Sequence, residues 1–116
     1  MSLNDADLVS RIQYKLSELE RSVRALRKTG TEAAEAERAY KIQLSKTTLN
    51  LREQGYAVGI IEKIIYGMPE VAELRFKRDI AQTIYEANRE HINATKLEIR
   101  ILESQVQREY GMTMSD

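Results

Sequence analysis

Apolar residues recur along this chain at helical spacing, in four segments separated by sparse punctuation. The longest segment, Glu70 to Tyr110, runs 41 residues without glycine or proline and follows the only proline, Pro69. One helix over it would be about 60 Å long, at about 1.5 Å of rise per residue. At about 100° per residue, two apolar rows lie side by side on that helix. One is Ile80, Ile84, Ala87, His91 and Ala94, and the other is Asn88, Ile92, Thr95, Ile99, Leu102 and Val106. Leu97 and Ile101 widen the face further. Together the rows take roughly half the circumference, more than the stripe of about 100° that one packing neighbour requires.

The earlier segments are shorter. A first helix is expected over about 5–28, with Asn4 as N-cap and Ile12, Leu16, Leu19, Val23 and Leu26 spaced 4-3-4-3, a coiled-coil seam. A second is expected over about 32–54, capped by Thr31, with Ala33, Ala36, Tyr40, Leu44, Thr47 and Leu51 on its inner face. Its small residues suit a close crossing with the first helix. A short third helix over about 57–66 is dense in isoleucine (Ile60, Ile61, Ile64, Ile65) and reads as a core plug. Gly30, Gly55 and Gly67 each follow a periodic segment, where a left-handed residue commonly ends a helix, and Gly111 precedes a tail over 112–116. Pro69 suits the first turn of the fourth helix, over about 70–110.

The expected fold is therefore all-α: a single domain over 1–116, forming an elongated antiparallel helical bundle or coiled coil. Helices one and two, at about 35 Å each, flank only part of a 60 Å partner. The remainder needs another protomer, so a homo-oligomer of dimer size or larger is expected. Asn88, Ile92, Thr95, Ile99, Leu102 and Val106 are the expected oligomer contact.

Composition narrows the function classes. Lys+Arg and Asp+Glu balance at 18 each, so no net field draws the chain to nucleic acid or to a membrane surface. With no cysteine, disulfides and thiolate metal sites are excluded. Apolar runs are too short to span a bilayer, and the acidic start Asn4-Asp5-Ala6-Asp7 is unlike a secretory signal. A cytoplasmic protein without a membrane partner is the expectation.

Candidate chemistry is thin. His91 is the only histidine, which rules out two-histidine metal motifs within one chain, and its place among apolar residues suits packing better than catalysis. Asn88 and Thr95 interrupt their row at a seven-residue interval: they either fix register or meet water at the seam's edge. The pairs Glu32/Glu35 and Glu70/Glu73 put two carboxylates on one face, as in the Mg²⁺ sites of all-α nucleotide pyrophosphohydrolases. Both pairs sit in expected first turns, which the helix dipole favours in any case. Arg21, Arg24, Arg27 and Lys28 end the first helix, where the dipole also favours them. Arg75, Arg78, Arg89, Lys96 and Arg100 form a basic stripe on the fourth helix that could track phosphates. Leu51 to Tyr56 followed by the third helix has the outline of a helix-turn-helix. Its isoleucines stand where base reading needs Arg, Asn or Gln. No nucleophile triad, phosphate-cradling glycine loop or metal set is present, so neither an enzyme nor a cofactor is expected.

Glu37-Arg38-Ala39-Tyr40-Lys41-Ile42, Leu51-Arg52-Glu53-Gln54-Gly55 and Val71-Ala72-Glu73-Leu74-Arg75-Phe76-Lys77-Arg78-Asp79 resemble small helical proteins encoded in phages and prophages of Gram-positive bacteria. The likeness continues through Lys96-Leu97-Glu98-Ile99-Arg100 and covers about 37 to 111. The resemblance implies a phage-derived cytoplasmic protein without assigned activity, an accessory in a replication or recombination module. The wide apolar face of the fourth helix makes a non-enzymatic accessory or scaffold, self-associating and docking another macromolecule, the expected role. The alternatives are a nucleic-acid-binding accessory of a phage replication or recombination module, through the basic stripe, and, more remotely, a metal-dependent all-α nucleotide pyrophosphohydrolase, through the carboxylate pairs. The resemblance supplies no binding residues.

Overall fold

A computed structural model of the chain describes the backbone of residues 3–114 and the side chains of 6–111. Helix α1 runs from Leu3 to Glu53, α2 from Val58 to Ile64 and α3 from Pro69 to Met114, with one 3₁₀ turn over Ile65–Gly67. The described chain is all-α. The long C-terminal helix and the short helix before it are both present. The chain divides into two compact units, residues 28–86 and residues 1–27 with 87–116.

The expected first and second helices are one. Gly30 and Thr31 lie inside α1, as does Asn4, so none of the three ends or caps a helix. A mid-helix glycine costs about 1 kcal/mol relative to alanine. Here it meets the ring of Tyr85, whose Cε1 would lie 3.4 Å from a Cβ at position 30. Gly67 falls in the 3₁₀ turn and Gly111 inside α3, which continues through Met114. Of the tail expected over 112–116, residues 115 and 116 lie outside the described residues.

Gly55 alone among the described residues has positive φ, at 93°. It ends α1 in a Schellman motif. The Tyr56 N–H donates to the Leu51 carbonyl at 3.1 Å, and the Gly55 N–H to that of Arg52 at 3.0 Å. Pro69 takes the first position of α3, and the Ala72 N–H closes its first turn onto the Met68 carbonyl at 2.8 Å.

In the unit of residues 28–86, α1 and α3 run antiparallel. Glu37 lies 3.6 Å from Arg78, and Gln43 donates to Glu70 at 3.5 Å. Tyr40, Leu51, Ile61, Ile65 and Val71 form the buried cluster, with Leu44, Met68 and Leu74 packed against it. Helix α2 and the 3₁₀ turn plug that core with one face only: Ile61 and Ile65 are buried, while Ile60 and Ile64 face solvent.

In the other unit, Lys15 pairs with Glu98 at 2.7 Å, and Asn88 donates to the Ser22 carbonyl at 3.1 Å, so the pairing is again antiparallel. Burial along α3 includes Val71, Leu74, Arg78, Ala81, Tyr85, Asn88, Ile92, Thr95, Ile99, Leu102 and Val106, with Ala72, Gln105 and Glu109 half-buried besides. The series from Val71 to Val106 is an unbroken 3-4 alternation, the period of a coiled-coil seam. On α1 it falls at Leu8, Ile12, Lys15, Leu19, Ser22 and Leu26. The expected seam is therefore corrected at two positions, because Leu16 and Val23 lie about half exposed, at 45% and 49%.

Candidate interaction surface

The residues expected to join protomers lie in the intrachain seam. Ile92, Thr95, Ile99 and Leu102 are buried, and Asn88 and Val106 half-buried, within the unit that α1 and α3 form together. The expectation failed because α1 is not interrupted at Gly30, so α3 finds a cover for this row in its own chain.

The two polar members of the row behave differently. Asn88 reaches across to the Ser22 carbonyl, which ties the register of the two helices. Thr95, fully buried, turns its hydroxyl back to the His91 carbonyl of its own helix at 2.8 Å and ties nothing across. Lys15 is a further polar group in this seam. Hydrogen bonds to Glu98 and then Glu18 raise its pKa above the ordinary lysine value of 10.5. The stability this adds is present below that value and is lost as pH rises through the raised one.

The basic stripe is not brought together as expected. Arg78 is drawn into the seam, its guanidinium 4.5 Å over the Tyr40 ring and hydrogen-bonded to Asp79 at 2.8 Å. That bond to Asp79 raises its pKa further, keeping it charged. Arg75 stacks over the Tyr66 ring at 5.0 Å. Arg89, Lys96 and Arg100 are exposed on α3.

The carboxylate pairs do not build a site. Glu70 accepts from Gln43, Glu73 pairs with Lys77 at 3.9 Å, and Glu32 and Glu35 lie mid-helix rather than in a first turn. No three His, Cys, Asp or Glu side chains among the described residues group so as to hold a metal. No described helix is long and apolar enough to cross a membrane.

What the structure exposes is the other row of α3. Ile80, Ile84, Leu97 and Ile101 are between 44% and 57% exposed, and Ala87, His91 and Ala94 are exposed between them. At Ile101 the row borders a groove of about 450 Å³, floored by Leu102 and walled by Tyr14, Lys15, Glu98 and Gln105. On α1, Val9, Leu16 and Val23 form a second exposed row at seven-residue spacing. Val9 belongs to a different groove, of about 310 Å³, with Ile12, Glu103 and Val106. Tyr56, Val58, Ile60, Ile64 and Tyr66 make a third exposed apolar patch, around α2. The helical period locates all these residues, but which of two adjacent rows faces inward depends on the partner helix and is not written in the period.

Compared with known proteins, the chain matches no family model, no curated protein and no solved structure. The surface must therefore be read from its own chemistry. It offers contiguous apolar rows on helices, flanked by charges of both signs, with no convergent nucleophile, acid–base pair or anion cradle among the described residues.

Proposed function

We propose that this protein is a non-enzymatic, self-associating helical protein that works as a scaffold or accessory, docking another macromolecule once assembled. The observation that carries this reading is surface area. The chain exposes 8778 Å², whereas a monomeric globular protein of its 13.4 kDa exposes about 6,500 Å². The excess of about 2,300 Å² is more than the roughly 800 Å² that one partner contributes to a standard protein interface. Large apolar side chains are exposed in rows along the helices, and rows of that kind mark sites covered by another chain. A phage or prophage origin and a place in the cytoplasm belong to the same proposal, through the resemblance of residues 37 to 111.

Light scattering on the purified chain tests it. The expected mass is at least twice 13.4 kDa at tens of micromolar. A folded, helical species holding the monomer mass over that range would overturn the proposal.

A further inference from the structure

The exposed row of α3 has an internal symmetry that the buried row lacks. From its ends toward its middle it reads Ile80 and Ile101, then Ile84 and Leu97, then Ala87 and Ala94, then Glu90 and His91. Each pair is equidistant from the midpoint between residues 90 and 91. An antiparallel helix pair with a two-fold axis at that midpoint sets every member against its counterpart. Large side chains meet large ones at both ends, and alanine meets alanine beside the axis, where small residues let two helices approach closely. The one titratable pair at the axis joins opposite hydrogen-bonding partners, the Glu90 carboxylate of one copy and the His91 ring of the other. An isologous two-fold contact demands this kind of self-complementarity.

We infer that the occupant of this row is the same row of a second copy, packed antiparallel about residues 90 and 91. This inference rests on the self-association proposed above and names its surface. The row leaves the intrachain seam intact, since Ile92, Thr95, Ile99 and Leu102 stay against α1. Association therefore does not require the chain to open.

The native chain has no cysteine, so single cysteines report the contact without interference. Chains carrying Ala87→Cys and Ala94→Cys are mixed and oxidised gently. The antiparallel register brings these two positions together, so a disulfide-linked heterodimer is expected in the mixture. Each variant alone is expected to yield at least fivefold less linked dimer, because like positions are offset along the pair by about 10 Å, beyond disulfide reach. In parallel, Ile84→Glu is expected to bring the scattering mass to that of a monomer with unchanged helicity, its side chain being exposed within the chain. A dimeric mass without preferential mixed cross-linking overturns this interface and leaves self-association standing. A monomeric mass for the unmodified chain overturns both.

Discussion

In the unit of residues 28–86, α1 and α3 are joined by α2 and the 3₁₀ turn after it, whose Ile61 and Ile65 complete a cluster with Tyr40, Leu51 and Val71. The unit of residues 1–27 and 87–116 contains only stretches of α1 and α3, and its seam includes Lys15, Ser22, Asn88 and Thr95. The contrast separates two ways of filling a two-helix seam. A pair of helices alone buries one narrow stripe on each, and polar groups survive there when they find a partner across the seam or on their own backbone. A third element covers more of both helices and converts the seam into a core. Both units leave large apolar side chains exposed beside their seams, Leu16, Val23, Leu97 and Ile101 in the two-helix unit and Ile42, Leu49, Ile80 and Ile84 in the other.

The contrast can be broken most forcefully in the two cores. Ile65→Ala in the first unit is expected to cost about 3 kcal/mol, because three elements surround the cavity. Ile99→Ala in the second should cost about 2 kcal/mol, because a two-helix seam collapses or admits water more readily. Urea denaturation of both variants, followed by circular dichroism, measures the difference. Equal losses would mean that the two seams are equally well packed.

A smaller effect separates the two glycines of α1. Gly55→Ala forces a positive φ on an L residue and is expected to destabilise by about 1 kcal/mol. Gly30→Ala acts inside a helix, where the new methyl meets the Tyr85 ring at ordinary contact distance, and should stabilise by about 0.5 kcal/mol. Opposite signs in thermal melting are the expected result. A loss at position 30 would show that the approach of Tyr85 tolerates no side chain.

The smallest effect compares two buried threonines. Thr47 accepts a hydrogen bond from the Gln43 amide at 3.0 Å, so Thr47→Val leaves that amide only its longer bond to Glu70 and should cost about 0.5–1 kcal/mol. Thr95 only donates to its own backbone, so Thr95→Val should be neutral or stabilising by a few tenths of a kcal/mol. Denaturant midpoints distinguish the two. A loss at Thr95 as large as that at Thr47 would assign its hydroxyl a role across the seam.

The sequence carried much of the fold for identifiable reasons. Gly55 ends a helix because it accepts the positive φ that the Schellman motif requires, and Pro69 begins one because its missing N–H is not needed there. Gly30 misled because a glycine's helical penalty is about 1 kcal/mol, which the surrounding α1–α3 seam outweighs. The half-circumference apolar face of α3 was legible. The period could not say that the row of Ile92 and Ile99 would be taken by the chain's own α1, leaving the row of Ile84 and Leu97 exposed. Adjacent rows differ by one residue, and the choice between them is made by the partner. Nothing in the spacing foretold that Arg78 would leave the basic stripe for the face of Tyr40.

Self-association is the central claim, and the concentration dependence of thermal unfolding tests it most directly. Mass action stabilises an assembled state as protomer concentration rises. Over a hundredfold range of concentration, Tm is predicted to rise by several degrees for the unmodified chain and to stay constant for Ile84→Glu. A Tm for the unmodified chain that is independent of concentration, with reversible unfolding, would contradict the account.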